Sequence, residues 1–177
     1  MRILVAITGA SGIIYGNRLV EVLRAIRPNV SLVISEGAKK VATSEGCALP
    51  TADCEEFDMS SHFASGSSAA DVMIICPCSL KTLGEIANGV GNSLITRAAE
   101  VAMKERKKLI LVVRETPYSL IAIKNMELVT LSGAIVLPAS PGFYHHPETI
   151  LDLVDYVVGK TLDVAGIQNK LFKRWGK

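Results

Sequence analysis

ILVAITGASGIIYG, residues 3–16, sets the architecture. Ile3 to Ile7 is apolar and partly β-branched, as a buried parallel strand requires. Thr8-Gly9-Ala10-Ser11-Gly12 is a loop of small residues, and Ile13-Ile14-Tyr15-Gly16 opens a helix. Strand, glycine loop and helix start together form an anion cradle, because bare backbone approaches a phosphate closely and the helix end supplies positive potential. Working outward, the same alternation repeats. Strands are expected at Arg2–Thr8, Val30–Ser35, Asp71–Pro77, Lys108–Arg114 and Ala134–Pro138. Helices are expected at Ile13–Ile26, Glu36–Ser44, Leu80–Asn88, Ser93–Lys104, Ser119–Ser132 and Pro147–Leu162. The expectation is one α/β domain in three αβα layers, with a doubly wound, Rossmann-like parallel sheet. Residues 45–70 break the rhythm with a small, polar, flexible stretch around Ser65-Gly66-Ser67-Ser68.

At 177 residues and 49% hydrophobic content the chain can bury a sizeable core, and a net charge of +2 gives no general bias toward nucleic acid. Cys47, Cys54, Cys76 and Cys78 form no C-x-x-C pair and have only His62, His145 and His146 to join them, so no metal site is expected. The opening apolar run is too short for a signal peptide, and no run is long enough to span a bilayer. A cytoplasmic domain with reduced thiols is the expectation.

Ligands of such sheets bind beyond the carboxyl ends of the strands. Standing there are Gly9–Gly12, Ser35, Cys76-Pro77-Cys78-Ser79, Arg114-Glu115 and Pro141-Gly142-Phe143-Tyr144-His145. One reading is a short-chain-type NAD(P) oxidoreductase, with T-G-x-x-G at Thr8–Gly12 and Y-x-x-x-K at Tyr156–Lys160. Glycines 9, 12 and 16 do not fit G-x-G-x-x-G, however, and the second strand ends in Ser35, with neighbouring Glu36 left as the one candidate for a ribose-binding acid. A mononucleotide fits better: Ser11, Ser35, Ser79 and Thr82 offer hydroxyls and Arg114 a cation, as in sheets that hold FMN at a switch point. A second anion is expected near Arg97 and Lys104, which share a helical face, and near Lys160. For Arg97 an ordinary ion pair with Glu100 or Glu105 is an equal alternative.

Taken together, the motifs resemble one family, the flavin prenyltransferases of the UbiX type, nearly end to end. The resemblance is carried by Gly9-Ala10-Ser11-Gly12 with Tyr15-Gly16, Ser65-Gly66-Ser67, Cys76-Pro77-Cys78-Ser79-x-Lys81-Thr82-Leu83 and Asn92…Arg97-Ala98-Ala99. It continues through Lys104-Glu105-Arg106, Arg114-Glu115-x-Pro117, Pro141-Gly142-Phe143-Tyr144-His145 and Arg174-Trp175-Gly176. It implies a flavodoxin-related fold and a homo-oligomer, usually a dodecamer, with sites at subunit interfaces. The implied reaction joins a dimethylallyl group from dimethylallyl monophosphate to reduced FMN at N5 and C6. The product is the prenylated flavin used by UbiD-type decarboxylases. FMN contacts are implied for Gly9, Ala10, Ser11, Ser35, Ser79, Leu80, Lys81, Thr82 and Arg114. The prenyl phosphate falls to Arg97, Lys104, Arg114, Tyr144 and Lys160, and catalysis to Glu115, Ser11, Glu45 and Lys104.

The chemistry accounts for that set. Cations aimed at a departing phosphate stabilise the transition state more than the ground state, and a carboxylate such as Glu115 suits the proton lost from flavin C6. The resemblance departs at Lys160, often arginine in the family; lysine keeps the charge and loses the planar two-point grip. Two other flavin classes compete. A cysteine-decarboxylase flavoprotein depends on a histidine in the first helix region, and residues 13–26 contain none. A flavin-storage protein would bind FMN without alkylating it.

Overall fold

Each apolar run becomes a strand of one parallel sheet: β1 (Ile3–Ile7), β2 (Val30–Ile34), β3 (Val72–Cys78), β4 (Lys108–Val113) and β5 (Ile135–Pro138). The protein is described here by a computed structural model covering residues 1–176. The strand order is β2-β1-β3-β4-β5, and every neighbouring pair is parallel. Six helices cover the two faces: α1 (Ile13–Ile26), α2 (Glu36–Glu45), α3 (Leu80–Ala87), α4 (Leu94–Lys104), α5 (Leu120–Leu131) and α6 (Ile150–Ala165).

The pleat explains why β1 is apolar throughout. Ile3, Val5 and Ile7 pack with α1, α2 and α6, whereas Leu4 and Ala6 pack with α3 and α4 on the other face. The chain leaves β1 for β2 at one edge, then crosses back to β3 on the other side of β1. The connections that follow β1 and β3 therefore diverge, opening a crevice at the carboxyl ends of these strands. Thr8 holds its two lips together: its hydroxyl donates to the Pro77 carbonyl at 2.8 Å and accepts the Ser79 N–H at 2.9 Å.

Gly16 lets α1 lie flush on the sheet. A Cβ there would stand 2.4 Å from the Cys76 carbonyl oxygen and 2.9 Å from Ile7 Cγ1. The expected elements recur with small end shifts, the largest in α6. Thr149, not Pro147, begins that helix, because its hydroxyl accepts the Asp152 N–H while Asp152 accepts the Thr149 N–H.

The stretch read as flexible is anchored. Asp53 and Cys54 donate backbone bonds to Leu32, Cys54 bridges to Val33 beyond the β2 edge, and Phe63 is buried beside Leu4 and Met73. Polar composition hid one core aromatic carried by two short 3₁₀ turns, His62–Ala64 and Gly66–Ser68. At the opposite edge, α5 buries Ala122 and Val129 but leaves Ile121 and Leu131 72% and 78% exposed. Among the described residues no helix is long and apolar enough to cross a membrane.

Candidate functional site

The crevice encloses a cavity of about 270 Å³ between the glycine loop and the N-termini of α2, α3 and α4. Its two main walls are built alike. Ser35 caps α2 by accepting the Ala38 N–H at 3.0 Å, and Ser79 caps α3 by accepting the Thr82 N–H at 3.2 Å. The Ser35 cap leaves a hydroxyl proton to donate, while the Ser79 hydroxyl shares a further 3.0 Å hydrogen bond with the Thr82 hydroxyl. The Gly37, Leu80 and Lys81 amides have no partner among the described residues, so they too stand ready as donors. Gly9 meets Gly37 backbone to backbone: a Cβ on Gly9 would lie 3.0 Å from the Gly37 carbonyl carbon. Hydroxyls, free amides and two bare backbones make an anion cradle.

The N-terminus of α1, expected to hold the phosphate, is already occupied. Its cap is Gly12, in the left-handed region at φ 100°, with no side chain to offer. Glu45, at the end of α2, supplies the missing acceptor, taking the Gly12 N–H at 2.7 Å and the Ile13 N–H at 3.0 Å. The Ser11 hydroxyl faces this carboxylate and helps hold its pKa down. Burial alone would push Glu45 up. The Ser11 hydroxyl and the Gly12 and Ile13 amides, with the Arg114 charge, outweigh it and hold the carboxyl below its ordinary range. The α1 end is thus neutralised from within, and the donors open to a phosphate lie one helix away, at α2 and α3.

Arg114 follows β4, its Nε buried and unpartnered. A buried guanidinium donor without an acceptor marks a place for a ligand oxygen. Burial raises the nearby Tyr15 phenol even though the Arg114 charge pulls it down. Glu115 lines the cavity and accepts the Thr116 N–H at 2.9 Å. Gly9, Ser35, Ser79, Leu80, Lys81, Thr82 and Glu115 thus share one cavity, with Ser11, Glu45 and Arg114 grouped beside the glycine loop. Ala10 is buried between them in sequence.

None of the five expected phosphate ligands lines this cavity: Arg114 stands beside the glycine loop, and the other four lie elsewhere. Arg97 donates to the Ala64 carbonyl at 3.2 Å and pairs with Glu100 at 3.2 Å, the ordinary ion pair set against its phosphate role. Lys104 pairs with Glu105 beside Gly66. Tyr144 packs edge-on against Tyr156 and Trp175 at 5.7 and 5.2 Å, and Lys160 stands exposed on α6. Tyr156, half of the Y-x-x-x-K motif, packs on Phe172 at 4.8 Å as part of the core's rim.

Sequence reading passed over Gly37, Glu56, Glu85, Ser93, Ile95 and Thr96, all of which line the cavity. Only Gly37 left a signal, a glycine in the first turn of a helix where alanine would ordinarily be better. Cys76 and Cys78 are wholly buried; burial raises the Cys76 thiol strongly and pushes Cys78 up to about 12.

A 2-1-3-4-5 parallel sheet whose hydroxyl-capped helices converge on one crevice defines a flavodoxin-like, mononucleotide-cradling α/β protein. Comparison with known proteins narrows the class. The Flavoprotein family model matches residues 1–175. A flavin prenyltransferase UbiX of Methanocaldococcus jannaschii is 46% identical over 183 residues, covering 99% of each chain. The crystal structure of AnUbiX in complex with FMN and dimethylallyl pyrophosphate superposes with a TM-score of 0.95 at 40% identity, covering 99% of this chain and 97% of that one. A dodecameric FMN-dependent UbiX-like decarboxylase from Escherichia coli gives 0.93 at 38% identity, with full coverage of both chains. The chain belongs to the Flavoprotein family and, within it, to the UbiX flavin prenyltransferases.

Proposed function

We propose that this chain joins the dimethylallyl group of dimethylallyl monophosphate to reduced FMN, releasing phosphate. Support comes first from the 46% identity over 99% of both chains to a flavin prenyltransferase. The cavity fits the flavin on its own terms, with a cradle that a Cβ would fill, open amides at Leu80 and Lys81, and the unpartnered Arg114 Nε.

Reduced FMN would supply nucleophilic N5 and C6: N5 would take the allylic carbon as the C–O electron pair leaves with phosphate. Ring closure would join C6 to the tertiary alkene carbon, the alkene gaining a proton at its other carbon while C6 gives one up. Gly9, Ala10, Ser35 and Ser79–Thr82 bind and orient the flavin through backbone and hydroxyl groups, and Arg114 directs its free Nε–H at a flavin oxygen. Glu115 accepts the ring proton, and Ser11 with Glu45 forms a second proton path beside the glycine loop. Arg97, Lys104, Tyr144 and Lys160 grip the departing phosphate. Since they lie outside the cavity of one chain, neighbouring copies bring them to it. The uncovered apolar face of α5 supports such an assembly, read as a dodecamer. The prenylated flavin then passes to a UbiD-type decarboxylase in the cytoplasm.

The test is phosphate release under anaerobic conditions. Release over many turnovers that requires both reduced FMN and dimethylallyl monophosphate, and falls at least about a hundredfold in Glu115→Gln because ring closure stalls, supports the assignment. Release that persists without flavin, or in that variant, overturns it.

A further inference from the structure

Glu56 stands where a phosphate oxygen would be expected. It comes from the irregular stretch after β2, half-buried, and its carboxylate accepts the N–H of Glu36, the first residue of α2, at 2.7 Å. Its own carbonyl accepts the N–H of Leu94, the first residue of α4, at 2.7 Å. One residue therefore closes two helix N-termini from layers on opposite faces of the sheet, directly over the crevice.

The surroundings make this choice of residue costly for an anionic ligand. The cavity is lined by three carboxylates, Glu56, Glu85 and Glu115, against a single lysine, Lys81. Two of the three are otherwise engaged: Glu85 pairs with Lys81 at 3.1 Å, and Glu115 is folded onto the Thr116 amide. Glu56 alone sits on a donor of the cradle itself, in line with the open amide of Gly37 and the Ser35 hydroxyl. A phosphate monoester carries about −1.5 to −2 charge and seeks these same helix-terminal N–H groups.

We infer that Glu56 is an anionic placeholder for the flavin phosphate, an assignment that rests on the FMN reading above. Without flavin, its carboxylate satisfies the α2 end, keeps the crevice from collapsing and fixes α2 against α4. When FMN binds, the Glu36 N–H passes from Glu56 to a phosphate oxygen and the carboxylate turns outward. Glu56 thereby sets a threshold: a ligand must bring a better anion than a carboxylate. Phosphorylated flavin meets it, and riboflavin leaves Glu56 in place. The residue thus holds the affinity for the phosphate down, and leaves riboflavin affinity alone, without touching the reacting atoms.

The experiment compares FMN and riboflavin affinities by calorimetry for the wild type and for Glu56→Gln, which keeps an acceptor oxygen and removes the charge. FMN is expected to bind about tenfold tighter to the variant, from one like-charge contact relieved at the site, while riboflavin affinity is unchanged. Glu56→Ala supplies an independent readout: inorganic phosphate should raise its melting midpoint more than that of the wild type, because the Glu36 amide is open. Weaker FMN binding in Glu56→Gln, or equal tightening of FMN and riboflavin, overturns the placeholder role with the FMN reading intact. A wild type that binds neither flavin overturns the FMN reading and this assignment with it.

Discussion

Glu45 closes the helix that Gly12 cannot: its carboxylate receives the Gly12 and Ile13 N–H groups, 2.7 and 3.0 Å away, across 33 residues of chain. A glycine at φ 100° makes the tight exit from the loop, and a side chain from another helix takes over the cap. Loss of such a cap costs about 1 kcal/mol, a drop of roughly 2–4 °C in the midpoint of a domain this size. Glu45→Ala should show that drop at pH 7. The folded carboxyl titrates below its ordinary value, so its stabilisation is complete above the unfolded pKa, near about 4.3. It fades as pH falls through the folded pKa. The gap between wild type and variant should therefore close in acid; thermal melts from pH 7 to pH 3 measure it.

Gly16 should be the least replaceable glycine. Alanine in a helix normally gains about 1 kcal/mol over glycine. Here its Cβ would meet the Cys76 carbonyl oxygen at 2.4 Å, and the backbone of β3 cannot yield as a side-chain tip would. Gly16→Ala should cost about 3 kcal/mol, lowering the midpoint by roughly 6–12 °C.

The two glycines at the cradle should differ although they touch. On Gly9 a Cβ would press within 3.0 Å of the Gly37 backbone, whereas on Gly37 the nearest atom, Gly9 Cα, is an ordinary 3.4 Å away. Gly9→Ala should push the loop off α2 and weaken FMN binding at least about tenfold, while Gly37→Ala binds nearly as the wild type. Flavin fluorescence quenching on titration gives both affinities.

Leu131 and Ile121 project from α5 into solvent in the single chain, 78% and 72% exposed. Should this face join copies, Leu131→Asp yields smaller particles by sedimentation velocity and loses phosphate release, while the far-ultraviolet circular dichroism is unchanged. A variant that still sediments with the wild type places the interface elsewhere.

Much of the sheet was legible in the sequence because two-sided burial leaves an unbroken apolar run, as Ile3–Ile7 and Val72–Cys78 both show. Ser35 and Ser79 were legible for a related reason: each follows a strand directly and opens a helix. The cap of α1 was hidden, because Glu45 reaches it only after α2 has turned the chain back. Glu56 was hidden likewise, in a polar stretch whose order comes from bonds to Leu32, Glu36 and Leu94. Side chains that act across tertiary contacts leave no period and no spacing to read. Arg97 shows the converse limit: the helical face it shares with Lys104 pointed to an anion, and within one chain the guanidinium engages Glu100 and Ala64.

The most direct measurement is the mass of the flavin. Purified protein, reduced FMN and dimethylallyl monophosphate are mixed without oxygen, and the extracted flavin is analysed by mass spectrometry. A gain of one prenyl unit that requires both reduced FMN and the prenyl donor is the predicted result. FMN of unchanged mass, with the prenyl donor intact, would contradict the account.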